Sequence, residues 1–293
     1  MGVHPALAAL LQHAPVLTDG AWGTELQKRG LPPGQPPESW NLTHPDQVRA
    51  AARAYVEAGS EIILTNTFGA NRIRLADAGL AEEVGLLNRR GVELSREAAG
   101  SRAAVFASIG PTGKLLMAGE VTAEDVRAAF EEQATALAEA GADALVIETM
   151  SDLQEAQLAL AAAKATGLPV VVCMVFDSGR ERDRTLMGDP PELVARTLEA
   201  AGADVLGANC GQGIEGFLPI CRRLRAASSL PLWIKPNAGL PQLMDGRPRY
   251  TTTPESFAAH APALRAAGAD FLGGCCGTDP EFIRALRRVL DRA

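Results

Sequence analysis

A chain of 293 residues, 47% hydrophobic and 22% charged, is long enough to bury a sizeable core and too apolar to stay disordered. Its formal charge of −7, with no basic stretch interleaved with aromatics, argues against nucleic acid or an anionic membrane as a partner. Five cysteines without regular spacing make no disulfide framework and point to a reducing cytoplasm.

The first eleven residues lack the basic and apolar regions of a signal peptide. Gly2 is followed by Ala6 where a myristoylation signal needs Ser or Thr. No run is long enough to span a bilayer. From there eight apolar runs follow in order, at 16–18, 61–67, 103–109, 144–149, 170–176, 205–209, 232–236 and 270–274. Most are near-continuous in Val, Ile, Leu and Ala, as parallel strands covered on both faces are. Helical periods lie between them, with starts at Thr43 and Pro45, Thr122 and Asp125, Ser151 and Gln154, Asp189 and Pro190, and Thr253 and Pro254. One turn is written four times: Ala58-Gly59-Ser60-Glu61, Ala140-Gly141-Ala142-Asp143, Ala201-Gly202-Ala203-Asp204 and Ala267-Gly268-Ala269-Asp270. Its glycine reads as a left-handed helix C-cap and its acid as the opening of the next strand.

Eight strands alternating with helices over this length predict an α/β fold, a (β/α)8 TIM barrel, as one domain over residues 1–293. A doubly wound sheet is the competitor, but no strand is followed by its glycine fingerprint. Gly110-Pro111-Thr112-Gly113-Lys114 lacks the spacing of a phosphate loop. Three connections, 31–39, 177–188 and 239–252, are long or rich in Pro and Gly. The last two follow the fifth and seventh strands, at the end of the barrel where active sites are built.

Polar residues cluster at the strand ends: Asp19-Gly20, Asn66-Thr67, Glu148-Thr149, Asn209-Cys210, Pro236-Asn237 and Cys275-Cys276. Free cysteines usually fill core space, which suits Cys173 in a strand and Cys221 in a helix. Cys210, Cys275 and Cys276 sit among glycines, with Asp279 or Thr278 and Pro280 signalling a helix start just beyond. A vicinal disulfide is one option for the last two. Three thiolates gathered at strand ends would instead form a soft, anionic zinc site with one open position. His4, His13, His44 and His260 lie away from the strand ends and read as surface or packing residues. Glu148, after Val146-Ile147, is a carboxylate in need of a partner, and a substrate ammonium would serve. Asp19 is a turn residue or a functional one, and Asn237 a turn former or a weak oxygen ligand.

These residues also carry a resemblance. Asp19-Gly20-Ala21-Trp22-Gly23-Thr24, Thr65-Asn66-Thr67-Phe68, Ile147-Glu148-Thr149, Gly207-Ala208-Asn209-Cys210, Lys235-Pro236-Asn237-Ala238-Gly239 and Gly273-Gly274-Cys275-Cys276-Gly277 occur in that order. The chain resembles the homocysteine S-methyltransferase family of zinc-dependent barrels, and within it most the homocysteine-binding module of cobalamin-dependent methionine synthase. The resemblance runs from about Val16 to the last helix. It implies Cys210, Cys275 and Cys276 as Zn2+ ligands, with the homocysteine sulfur at the open position. It also implies substrate-binding roles for Asp19, Gly20, Asn66 and Glu148, and metal contact by Asn237 when substrate is absent. The activity implied is methyl transfer to homocysteine, giving methionine. The donor is either a sulfonium such as S-methylmethionine or S-adenosylmethionine, or a methylcorrinoid delivered by a separate corrinoid protein, so that a separate corrinoid or folate-module protein is an implied partner. Two alternatives stand beside this: a non-catalytic zinc-binding barrel acting as sensor or assembly partner, and a methyltransferase for another thiol.

Overall fold

The computed structural model describes residues 4–244 and 247–292. Its strands are β1 Val16–Leu17, β2 Ile62–Ile63, β3 Ala104–Ile109, β4 Ala144–Met150, β5 Val170–Met174, β6 Val205–Gly213, β7 Leu232–Asn237, β8 Gln242–Met244, β9 Arg247–Arg249 and β10 Ala269–Leu272. Eight of them form one parallel sheet in the order β1-β10-β7-β6-β5-β4-β3-β2. The two outer strands meet, because the Glu61 N–H donates to the Leu17 carbonyl at 2.7 Å and the Leu64 N–H to the Asp19 carboxylate at 2.7 Å. With helices between successive strands, this is the (β/α)8 barrel that the apolar runs predicted. Two details differ. β1 and β2 are only two residues each, shorter than the apolar runs at 16–18 and 61–67 that contain them. Connection 239–252, expected to be irregular, contains the antiparallel pair β8 and β9.

The fourfold turn does more than reverse the chain. Its glycines are left-handed, as at Gly59 (φ 102°) and Gly268 (φ 97°), which a residue with a side chain rarely tolerates. Each acid then reaches sideways to an N–H of the first or second residue of the neighbouring strand. Glu61 accepts from Leu17 at 3.0 Å, Asp143 from Val105 at 2.7 Å, Asp204 from Val170 at 2.8 Å and Asp270 from Leu232 at 2.8 Å. Each is paired in turn with a cation, respectively Arg287, Arg96, Lys164 and Arg225. An otherwise orphaned strand-end donor thus gains a charge-assisted bond, four times around the foot of the barrel.

Alternate residues of each strand point inward. Val16, Ile62, Phe106, Val146, Val171, Val205, Trp233 and Phe271 fill the interior, joined by Leu7 from the helix Pro5–Leu11. Trp233 is the keystone, with ring centroids 6.0 Å from Phe106 and 5.2 Å from Phe271. Gly207 makes room for it, since a Cβ there would lie 2.1 Å from the Trp233 carbonyl oxygen. The larger apolar layer lies between strands and helices and is rich in alanine, so helices sit close. Helix starts follow the sequence at Thr122, with its reciprocal Asp125 capping box, and at Thr253. Asp152 caps the helix Leu153–Lys164 in place of Ser151. The helices Pro45–Ala58 and Pro191–Ala200 begin without a side-chain cap. Among the described residues no helix is long and apolar enough to cross a membrane.

Candidate functional site

Beyond the interior layer, the same inward-facing alternation brings up Ser108 on β3, Glu148 on β4 and Lys235 on β7, each two residues further on, and Asn209 on β6, four residues beyond Val205. The barrel is therefore apolar below and polar above, and the thiols lie at the upper edge. Cys210 is on β6; Cys275 and Cys276 follow β10. Their three Sγ atoms lie within 4.8 Å of one another, with Cys210 and Cys276 3.9 Å apart. All five cysteines are free, and Cys173 and Cys221 are buried packing residues.

The backbone holds the pair firmly. The Cys275 N–H donates to the Pro236 carbonyl at 2.7 Å, and the Cys276 carbonyl accepts from the Ala238 N–H at 2.9 Å. The Thr278 hydroxyl donates to the Cys275 carbonyl at 2.7 Å. Gly277, at φ 81°, lies under the Tyr250 ring, which a Cβ would meet at 2.2 Å. Asp279 caps the helix Pro280–Leu290 that follows.

Hydrogen bonds from the Cys275 and Cys276 thiols pull the Cys210 thiol down to about 3. The same bonds to Cys210 push Cys275 up and Cys276 up to about 12. The two neighbouring thiols thus favour a thiolate at Cys210. A soft divalent metal suits three sulfur donors better than a hard one does. The Oδ1 of Asn237 is buried beside them without a hydrogen-bond partner, so an oxygen donor awaits use. Among the described residues no fourth His, Cys, Asp or Glu joins the group, which leaves a position open.

The thiols open onto a cavity of about 870 Å3 whose wall also includes Gly20, Asn66, Glu148 and Lys235. Glu148 is buried; its Oε1 accepts the Ser108 hydroxyl at 2.5 Å, and its Oε2 has only a long contact, 3.3 Å, from the Asn209 amide. Burial raises its pKa, and the nearby Lys235 ammonium offsets part of the rise. Asn209 also exchanges two hydrogen bonds with Thr149, accepting from its N–H and donating to its hydroxyl, each at 2.7 Å. Thr149 (φ 63°) and Cys210 (φ 61°) are both left-handed without being glycine. Such backbone costs about 1–3 kcal/mol a residue and persists where neighbours enforce it; the Asn209 amide is one such tie.

Asp19 lies outside the cavity wall, fully buried, with both oxygens engaged. One receives the Lys235 ammonium, and the other the Trp22 indole N–H at 2.8 Å and the Leu64 N–H at 2.7 Å. Gly20 leaves room for the Tyr55 ring and the Thr278 hydroxyl, which a Cβ would meet at 2.9 and 2.8 Å. The Asn66 amide donates to the Pro37 carbonyl at 2.7 Å and to Asn41 at 2.9 Å, tying connection 31–39 to the wall. None of the four histidines lines the cavity. Connection 177–188 folds on itself through a Ser178–Arg184 bridge and stays out of the wall.

Three contributors escaped the sequence reading: Lys235, Ser108 and Tyr250. For the first two a signal existed, since each lies two residues beyond an inward aromatic, Trp233 or Phe106, on a strand of period two. Tyr250 reaches Gly277 across a long connection, and nothing local announces it.

Comparison with known proteins agrees with this geometry. The family model for homocysteine S-methyltransferase matches residues 16–290. A methionine synthase of Mycobacterium leprae is 32% identical over 295 residues, covering 94% of this chain and 24% of that protein. The methionine synthase of Mycobacterium tuberculosis is 30% identical over 299 residues, covering 95% and 25%. The chain therefore spans about a quarter of the length of these curated relatives. Among solved structures, the metallated form of the homocysteine methyltransferase MmuM from Escherichia coli superposes with a TM-score of 0.82 at 26% identity, covering 98% of this chain and 100% of that one.

Proposed function

Because the chain belongs to the homocysteine S-methyltransferase family, we propose that it moves a methyl group to the thiol of L-homocysteine, forming methionine, with Zn2+ held by Cys210, Cys275 and Cys276. The observation that carries this reading is the convergence of three thiols within 4.8 Å at the edge of a cavity that also exposes a buried carboxylate. A free thiol with pKa about 8.5 is mostly protonated at neutral pH and a poor nucleophile. Bound zinc would supply the Lewis acid that keeps the homocysteine sulfur ionised, without redox chemistry of its own.

The remaining work belongs to the chain. Glu148 receives the substrate ammonium, and Ser108 and Asn209 fix its carboxylate. Gly20 and Asn66 shape the wall, Asp19 acts from behind it, and the unpartnered Oδ1 of Asn237 would be available to a bound metal when no thiol is there. The fixed substrate presents its sulfur to the methyl carbon of the donor. A sulfur–carbon bond forms as the donor's bond to that carbon breaks, and the donor leaves with the electron pair. The thiol proton is released to solvent before this step, so that the attacking group is the thiolate. The cavity is large enough to admit a small sulfonium beside homocysteine, and MmuM is matched over its whole length. A methylcorrinoid on another protein or module is the second donor reading, favoured by the multi-module length of the methionine synthases. Five free thiols suit a reducing compartment such as the cytoplasm.

The test is metal analysis followed by turnover. With three cysteine donors the protein should hold about one zinc per chain, and lose it on Cys276→Ser. Methionine formation is then measured with S-methylmethionine, S-adenosylmethionine, betaine and methylcobalamin separately. Turnover with a sulfonium identifies a self-sufficient enzyme, and turnover with methylcobalamin alone identifies a corrinoid-dependent one. Bound zinc with no homocysteine binding would overturn the reading in favour of a sensor or another thiol.

A further inference from the structure

Lys235 is the one buried lysine or arginine among the described residues, at 2% exposure. A buried ammonium needs partners for its three N–H donors. Among the described residues one carboxylate receives it, Asp19. Its Nζ stands 5.9 Å above the Trp233 ring, which supports its charge from below. Its upper side belongs to the cavity wall, close to Glu148. Burial alone would neutralise it, yet Asp19 and Glu148 hold its pKa above the ordinary lysine value.

The charges can be counted. Asp19 and Lys235 cancel, leaving Glu148 as the uncompensated charge of the trio, suited to a substrate ammonium. An α-amino acid brings a carboxylate two bonds away from that ammonium. Glu148 repels it, and it requires a donor of positive charge on the same wall. Arg74, also in the wall, is exposed and held over the Phe68 ring. Lys235 has donors to spare and stands within the field of Glu148.

We infer that Lys235 anchors the α-carboxylate of the thiol substrate, so that Glu148 and Lys235 together select an α-amino acid zwitterion over a simple aminothiol. The inference rests on the reading of this cavity as a homocysteine site. Asp19 becomes a positioning residue: it engages one donor of Lys235, whose other two have no protein acceptor among the described residues, and holds the ammonium at the cavity wall.

The experiment compares two ligands on the zinc-loaded full chain by calorimetry: L-homocysteine and 3-aminopropane-1-thiol, which is the same molecule without its carboxylate. Wild type should prefer homocysteine by about tenfold or more, the worth of one charge-assisted bond. Lys235→Met should weaken homocysteine by about 10- to 100-fold and the aminothiol by no more than about threefold, so the preference collapses. Since that change strands the buried Asp19, the double variant Asp19→Asn/Lys235→Met, which removes both charges, is measured alongside and should show the same collapse. Equal weakening of both ligands, or a preference that survives in the double variant, overturns the inference and leaves Lys235 a purely structural partner of Asp19. Wild-type protein that binds neither ligand would instead defeat the homocysteine reading itself.

Discussion

Glu148→Gln should weaken substrate binding and yet make the protein more stable at alkaline pH. The substitution preserves length and shape and removes the charge. One carboxylate oxygen is engaged by Ser108 at 2.5 Å, while the other has only the 3.3 Å contact from Asn209. That oxygen is therefore available to an ammonium in a water-poor setting. A hydrogen bond to a charged group is worth about 1.5–3 kcal/mol. At about 1.4 kcal/mol per tenfold, the variant should bind homocysteine about 10- to 150-fold more weakly, with unchanged zinc content. Stability moves the other way. Burial raises the Glu148 pKa, so the folded protein holds that proton more tightly than the unfolded chain does. The stability so gained is complete below the unfolded pKa and is lost as pH rises through the raised folded value. At pH 8 the wild type bears the full cost of an ionised buried carboxylate, and the variant does not. Titration calorimetry with homocysteine and thermal denaturation at pH 5 and pH 8 test both halves. The variant's Tm should exceed that of wild type at pH 8 by a margin that shrinks toward pH 5. Unchanged affinity, or a Tm lowered equally at both pH values, would refute the reasoning.

In metal-free protein at pH 7, alkylation followed by peptide mapping should find Cys210 modified first, because the other two thiols stabilise its thiolate. Cys173 and Cys221, whose thiols burial pushes up, should react only on unfolding, and added zinc should protect Cys210. Gly207→Ala places a Cβ 2.1 Å from the Trp233 carbonyl oxygen, on rigid backbone, and should cost about 1–3 kcal/mol in denaturant unfolding; a loss within error would mean that the Trp233 strand yields easily. Glu61→Gln weakens both the bond to Leu17 and the pairing with Arg287 where the barrel closes. Partial exposure reduces the effect, and it should lower stability by about 1 kcal/mol, whereas exposed Glu57→Gln should change nothing.

What could be read from the residues alone was periodic or punctuated by glycine. The strands showed as apolar runs, the C-caps as a glycine between small residues, and Cys210, Cys275 and Cys276 as thiols with nothing local to pack against. Contacts between distant segments were not legible. The acid after each repeated glycine read as a strand opener, but its clasp on the preceding strand exists only once the two strands lie side by side. Asp19 stood out as a strand-end acid, yet its partner Lys235 is 216 positions away. The two-residue lengths of β1 and β2 were hidden for a related reason: their sequences are apolar enough to continue, but just beyond them the side chains of Asp19 and Thr65 accept hydrogen bonds from backbone N–H groups of neighbouring strands, Leu64 and Ser108.

The fourfold clasp at the foot of the barrel has an evolutionary consequence. Four charge-assisted ties between strands, at Glu61, Asp143, Asp204 and Asp270, lie at one end of the molecule, while the reactive thiols occupy the other. A substitution among the rim thiols tests new chemistry without drawing on these four ties, and one at the foot loosens the ring without touching the thiols. Such a separation lets the rim loops be lengthened, shortened or exchanged as independent units, so a lineage can explore methyl donors and acceptors on a scaffold that stays closed.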